Sequence, residues 1–483
     1  MTIGENTTTR LSAVELARLT RSGELGAAEV VQAHIAEIER LNPAVNAIVD
    51  LRPERALAAA RELDRTFRSD APHGPLYGLP VAHKDLVPAA GFRFTQGSPI
   101  FAERVADQDH LVVERMAAAG AITVGKTNVP EFGLGSQTFN DVYGVTRNPH
   151  ALDRTAGGSS GGAAAALAAR MLPLADGSDT GGSLRNPASF CGVVGFRPSP
   201  GRVPSWPDAD PFGRLAVVGP MARTVDDLAL LLSVLAGPDP RAGWSAPPAP
   251  QPYFPVPDAG RPIRLAWSPD VDGRVVVARE VRAALEPVVA ALEGQGWQVE
   301  LATPDLGDAI EAFRVLRALK MQLSLAPVLA EHPGRLKSDA VWNIEEGGKL
   351  DGPTIARAER TAVRIFHEMR EFFGTFDVLA TPTCQVAPFG IGTRYPREID
   401  GTPMRDYLEW MGVPAAITMT GCPAISLPAA TTPDGLPVGI QLVGPHLRED
   451  RLLAVARAFE SAIGTGPAPE VDPTPRPAFV AVD

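Results

Sequence analysis

Gly157-Gly158-Ser159-Ser160-Gly161-Gly162 opens an alanine-rich run at Ala163, and Gly177-Ser178-Asp179-Thr180-Gly181-Gly182-Ser183 follows it. Two glycine-rich turns therefore each present a serine beside nearly bare backbone. Glycine reaches dihedrals that other residues resist, and bare backbone lets several N–H groups aim at one point, as developing negative charge requires. Between the turns, residues 163–171 are strong helix formers; a helix starting just after Gly162 points its positive end at the serine pair, and Pro173 is expected to stop it. A tight helix crossing lined by small residues would explain the alanines, but not a serine in each of two separate turns.

Upstream, Gly78-Leu79-Pro80-Val81-Ala82-His83-Lys84-Asp85 reads as a strand entering a loop. Lys84 stands among Val81, Ala82, Leu86 and Val87, the kind of surroundings that lower a lysine pKa by desolvating its charged form. Lys84 precedes Ser159 by 75 residues, and Ser159 precedes Ser183 by 24. These motifs, at these spacings, resemble the amidase signature family from about residue 11 to about residue 460, with weaker detail over 242–400. The resemblance implies an α/β fold with a central mixed β-sheet covered by helices on both faces, in a single domain over 1–483. Its expected parts are a helical N-terminal cover (about 10–70), a catalytic core (about 75–237), a proline-rich crossing segment (about 238–262), a variable pocket-lining region (about 303–420), and C-terminal strands and helix (about 421–463).

Hydrolysing an amide requires a serine to lose its proton as it attacks and the leaving amine to gain one as it departs. The resemblance implies that Lys84, Ser159 and Ser183 do this as a relay: neutral Lys84 takes a proton from Ser159, Ser159 takes one from Ser183, and Ser183 attacks the carbonyl. The relay then reverses onto the leaving nitrogen, and water hydrolyses the acyl-enzyme. Lys84 must start neutral, against a reference pKa of about 10.4. The backbone N–H groups of Thr180, Gly181, Gly182 and Ser183 are the expected oxyanion hole, each such donor being worth roughly 3 to 4 kcal/mol in comparable hydrolases. Ser160, Asp179 and Arg185 are expected in support, Arg185 either orienting the site or pairing with Asp179. Gly133, Leu134, Gly135 and Ser136 are expected to form a wall of the substrate pocket. The family's cis peptide would fall at Gly158-Ser159. This chemistry calls for no metal and no organic cofactor.

Two motifs compete with that reading. Residues 120–127 satisfy the phosphate-loop pattern Gly-x4-Gly-Lys-Thr, but a helix precedes the β-branched middle and no helix follows, so ATP binding is not expected. Gly158-Ser159-Ser160-Gly161-Gly162 fits the nucleophile elbow with Ser160 as nucleophile. A Ser-His-Asp hydrolase would then need a strand before the elbow, where residues 153–156 make a poor one, and a histidine from among His332, His367 and His446. The other enzymatic alternative is the A subunit of a glutamine-dependent amidotransferase, working in a complex that modifies aminoacyl-tRNA. The loop Gly135-Ser136-Gln137-Thr138-Phe139-Asn140 departs from the sequence associated with such amidotransferases and favours a free-standing amidase. A non-enzymatic scaffold does not fit an intact lysine and two serines.

A formal charge of −11 and a pI near 5.3 do not supply the concentrated Lys and Arg that nucleic acid demands. Cys191, Cys384 and Cys422 are odd in number and far apart, which argues against a disulfide framework or a structural zinc site. Cys191, among small and apolar residues, reads as a buried thiol. No apolar run reaches the length of about 18 residues that a membrane span needs, so a reducing cytoplasm is the expected setting. The expected partner is a small-molecule amide, with an aryl or alkyl amide first and esters or carbamates next; no motif fixes an oligomeric state.

Along the chain, Ser12-Ala13-Val14-Glu15 reads as a capping box. Val31, Ile35 and Ile38 mark a second helix closed by Asn42-Pro43, and residues 55–67 a third. Residues 109–119 read as a helix and 121–124 as a strand; 131–145 as a loop; 184–188 as a helical turn, with a strand over 190–198. Thr224 caps a helix over 228–235. Strand, helix and strand follow at 263–267, 281–292 and 297–301; helices dominate 303–375; 376–380 is a buried strand and 385–405 a loop. A strand pair over 421–444, a helix over 449–463 and a loosely held proline-rich tail complete the chain.

Overall fold

The computed structural model describes residues 5–260 and 262–476; the first four residues and the last seven of the proline-rich tail lie outside it, as does Arg261 within the crossing segment. The described chain builds one eleven-stranded mixed sheet. Its strands are β1 (Ile48–Val49), β2 (Pro80–Lys84), β3 (Ile122–Thr127), β4 (Leu174–Asp179), β5 (Val194–Arg197), β6 (Val217–Ala222), β7 (Arg264–Trp267), β8 (Gln298–Leu301), β9 (Val378–Pro382), β10 (Ala424–Thr431) and β11 (Pro437–Val443). They lie in the order β1-β3-β2-β4-β6-β5-β10-β11-β9-β7-β8. β3, β2 and β4 run parallel to one another at one end, where β1 pairs antiparallel to β3; β9, β7 and β8 run parallel to one another at the other, and antiparallel pairs join the two.

Helices cover both faces because the strands alternate between two cores. Val81, Leu174 and Ala222 point into the larger core with Leu228, Leu265 and Leu452. Their neighbours Ala82, Ala175 and Met221 point into a second core with Val31, Ile35 and the alanines of the helix Gly161–Ala168. Among the described residues no helix is long and apolar enough to cross a membrane.

Most elements fall where the sequence places them. The helices Ala13–Ser22, Ala27–Val45 and Pro53–Thr66 form the N-terminal cover, and Glu449–Ile463 matches its expected bounds. Ser12 accepts from Glu15 N and Thr224 from Asp227 N, as read; Glu15, however, spends its carboxylate on Arg18 rather than closing the capping box.

Several expectations are corrected. Asn42-Pro43 does not close its helix, which runs on to Val45: proline so near a helix end costs one hydrogen bond, and Asn46 at φ 55° makes the stop. The alanine-rich helix ends at Ala168, before Pro173, because Arg170 turns left-handed at φ 59°. Strand β3 extends through Gly125-Lys126-Thr127, and the helix after Ser183 runs from Arg185 through Cys191. Polar residues 153–155 do form a strand, Ala151–Thr155, because pairing with Arg147–Asn148 in a small separate hairpin supplies the geometry that composition does not.

Candidate active site

Lys84 is the last residue of β2, and β4, parallel beside it, ends at Asp179. Lys84 shares the face of Ala82, the face on which the helix Gly161–Ala168 packs. That helix begins at Gly161 with Ser160 as its cap, so the serine pair stands above the end of the lysine strand. The seating depends on two glycines. A Cβ at Gly162 would come within 2.3 Å of Asn128 N, and one at Gly177 within 2.8 Å of Ser160 Oγ. The Gly158-Ser159 peptide is cis.

Lys84 is fully buried, and its Nζ lies 2.8 Å from Ser159 Oγ, 2.8 Å from Ser160 Oγ, 3.0 Å from Ser178 Oγ and 3.3 Å from Ser178 O. Burial pushes its pKa down to about 7, against the upward pull of Asp179 and Asp176. Asp176 anchors the strand end, accepting from Lys84 N at 3.2 Å and pairing with His83 Nδ1 at 2.6 Å. Burial alone would raise that carboxyl; His83 holds it below its ordinary value.

Asp179 fixes the second turn. Its carboxylate accepts from Gly182 N at 2.8 Å, Leu184 N at 3.2 Å, Arg185 Nε at 2.9 Å and Arg197 Nη1 at 3.2 Å. Burial works to raise it, and the two guanidiniums hold it well below the carboxylate range. Arg185 thus pairs with Asp179 and also donates to Gln441 Oε1 and Thr418 Oγ1, tying the turn to β11 and the helix Gly412–Met419.

One expectation for this turn is corrected. Gly182 does not offer its N–H to a substrate, because Asp179 already accepts it; the N–H groups of Thr180, Gly181 and Ser183 make no backbone hydrogen bond among the described residues. Gly181 must be glycine for another reason, since an added Cβ would stand 2.6 Å from the Phe313 ring.

A cavity of about 70 Å³ opens on these groups, lined by Ser159, Ser178, Thr180, Gly181 and Ser183 and by Gly133, Leu134, Gly135 and Ser136; an added Cβ at Gly133 would stand 3.5 Å from Ser159 Oγ. Ser183 Oγ makes no hydrogen bond among the described residues and faces that space. Ser160, by contrast, is fully buried behind Gly177 and does not line the cavity. The structure adds residues that sequence reasoning missed: Phe313, Arg317 and Met321, one face of the helix Ala309–Glu331, and Met411, which contacts Ser136. Their i, i+4, i+8 spacing was legible; that this face looks onto the serines was not. Lys337 was missed too. Its partly buried Nζ, lowered to about 8 by desolvation, donates to Leu134 O at 2.6 Å and holds the 133–136 wall.

The competing motifs resolve locally. Lys126 of the phosphate-loop match is buried in β3 against Val87 O and 3.6 Å from Asp85, with no turn of backbone around it. For the elbow, His332 lies against Phe101, while His367 and His446 flank Phe366; none lines the cavity.

The family model described as Amidase matches residues 29–453. An acylamidase of Rhodococcus erythropolis is 35% identical over 93% of this chain and 95% of its own length. The A subunit of the glutamyl-tRNA(Gln) amidotransferase of Chloroflexus aggregans is equally similar, 35% identical over 91% of this chain and 93% of its own. The crystal structure of a bacterial aryl acylamidase of the amidase signature enzymes superposes with a TM-score of 0.86 at 29% identity, covering 94% of this chain and 96% of that one. With the fold, the motif match and these relatives in agreement, the chain belongs to the amidase signature family and is an amide-cleaving hydrolase.

Proposed function

We propose that the chain is a free-standing serine amidohydrolase that cleaves small-molecule amides through an acyl-enzyme on Ser183, with Lys84 as base and Ser159 as relay. The observation that carries this reading is a buried lysine with its pKa near 7, in hydrogen-bond contact with Ser159 beside a cavity onto which Ser183 opens. A neutral amine has two hydrogens and one lone pair. Ser178 O can only accept, so it claims one hydrogen; Ser160 or Ser178 Oγ takes the other, which leaves the lone pair for the Ser159 hydroxyl.

Ser159 passes its proton to Lys84 as it accepts the one from Ser183, and Ser183 Oγ bonds to the carbonyl carbon. The Ser159 to Ser183 hydrogen bond forms in the substrate complex, where such contacts commonly tighten. The N–H groups of Thr180, Gly181 and Ser183 receive the oxyanion. Collapse breaks the C–N bond as the amine takes the proton back through Ser159; water then repeats the sequence in reverse. Aryl and alkyl amides are the first substrates, with esters and carbamates next because they share the attacked acyl carbonyl.

The amidotransferase reading is kept in view by the equal similarity to that enzyme's relative. The cavity lining disfavours it: no Asp or Glu is among its residues to receive the α-ammonium of glutamine. Intact-mass spectrometry after fluorophosphonate exposure tests the main reading. The adduct is expected on wild type and Ser160→Ala and absent from Ser183→Ala, with matching loss of p-nitroanilide turnover. An adduct that persists in Ser183→Ala overturns it, and turnover of glutamine with none of p-nitroanilides returns the alternative.

A further inference from the structure

Four arginines are buried among the described residues: Arg185, Arg197, Arg202 and Arg317. Arg185 and Arg197 share Asp179, and Arg202 has Glu449 at 2.9 Å. Arg317 is the exception. It is 6% exposed, lines the cavity that holds Ser183, and forms no ion pair among the described residues. Asn343 Oδ1 and Tyr407 Oη (2.7 Å) accept one hydrogen from each terminal nitrogen, and Asn343 Nδ2 donates to the same Tyr407 oxygen at 2.7 Å. Asp339 is engaged by Arg394 at 2.7 Å. Three of the five guanidinium N–H groups are thus without a partner among the described residues.

A guanidinium stays protonated in proteins, and burying one without a counter-charge is costly unless something supplies the charge. The remainder of its wall is apolar, with Phe313 and Met321 one turn to either side and Met411 across. In such surroundings a carboxylate offered two N–H donors is held by charge-assisted, commonly bidentate hydrogen bonds.

We infer that Arg317 reads an anionic group on the substrate, so that the amides this enzyme prefers carry a carboxylate that reaches the catalytic cavity. This rests on the proposed function, with Ser183 as nucleophile. It also separates the preferred substrate from an α-amino acid amide, whose ammonium has no acidic partner in the cavity. Arg317 is then a specificity-determining residue that leaves the relay untouched.

Two matched pairs test it. Glutaryl p-nitroanilide against its ω-amide places the charge on the acyl side; N-butyryl-4-aminobenzoate against N-butyryl-4-aminobenzamide places it on the leaving side. The wild type is expected to favour the carboxylated member of one pair by about 10-fold or more in kcat/KM, the scale of a hydrogen bond to a charged group. In Arg317→Met that ratio is expected to collapse toward one, chiefly through KM, and Arg317→Lys to restore part of it.

Equal kcat/KM for both members of both pairs in the wild type overturns the inference, as does a preference that survives in Arg317→Met. Because Arg317→Met disturbs a buried network, a measurement on the wild type alone runs beside it: glutarate is expected to protect Ser183 from the fluorophosphonate, and glutaramide not to. Equal protection by the two overturns the inference even if the variant fails to fold. A wild type that turns over uncharged amides without preference removes Arg317's role and leaves the Ser183 mechanism standing; one with neither turnover nor Ser183 adduct removes both.

Discussion

Lys84 and Lys126 sit near the ends of adjacent parallel strands, paired in register across β2 and β3, where Lys84 faces Thr127 and His83 faces Lys126. Both are fully buried, and desolvation lowers the pKa of each. Their surroundings differ. Lys126 has a carboxylate, Asp85, at 3.6 Å and a carbonyl, Val87 O, to donate to. Lys84 has three hydroxyls and a carbonyl, with its acids acting from beyond hydrogen-bond range of the amine. Burial lowers a lysine pKa; in the proposed mechanism, hydroxyl neighbours that can surrender a proton are what let a lysine so shifted serve as a base.

The largest effect that could break this contrast is on turnover. Lys84→Met is expected to lower kcat by about 10³-fold, within the range for loss of a general base, while far-UV circular dichroism stays native; near-normal kcat would erase the distinction between the two lysines. The same variant sharpens the contrast in pH. Wild-type kcat/KM is expected to rise with pH through a limb near 7 as Lys84 loses its proton. Stability carries the same signature. With a folded pKa of about 7 against an ordinary lysine value of 10.5, the unfolded chain binds the extra proton between those values, so this group's contribution rises with pH across that window and is at its lowest, and constant, below it. Urea melts at pH 6, 8 and 10 should show a smaller rise in Lys84→Met than in wild type.

Lys126→Met is expected to act on stability instead. It leaves Asp85 buried without its cation, a loss of about 3 kcal/mol by analogy with broken buried pairs, measurable as a lower urea midpoint with kcat changed by less than about threefold. A kcat loss matching that of Lys84→Met would place both lysines in the chemistry. Smaller still, Gly181→Ala should cost about 1 to 3 kcal/mol by overpacking against Phe313. The cost should shrink in a Phe313→Ala background, and an undiminished cost would mean that backbone conformation rather than the ring excludes the methyl.

What the sequence makes legible follows from how local the physics is. Lys84, Ser159, Ser160, Ser183, Gly177 and Gly182 lie in contiguous motifs whose glycines leave room for close neighbours, Asn128 at Gly162, Ser160 at Gly177 and Pro414 at Gly182, and the glycines can be read even though those neighbours are distant in sequence. The strand read over 376–380 shows itself as a buried apolar run and is found at Val378–Pro382, and the closing helix, read from the family resemblance, is found at Glu449–Ile463. Arg317 does not show itself this way. Its helix is recognisable, but which face meets the serines depends on how a segment more than a hundred residues downstream packs across the sheet. Gly182 shows the converse: its place in the motif suggested a free N–H, and a carboxylate three residues earlier had already taken it. The strand at residues 151–155 likewise depends on a hairpin partner rather than on its own composition.

Cys191, Cys384 and Cys422 are sealed in the interior at 0%, 4% and 1% exposure, and burial raises the pKa of all three thiols. They stand at the end of a core helix, just after β9 and just before β10. A maleimide can therefore reach them when the packing around the sheet opens, and hardly at all before. The protein carries an internal stopwatch: the rate of thiol capture reports how often its centre breathes, with no engineered label.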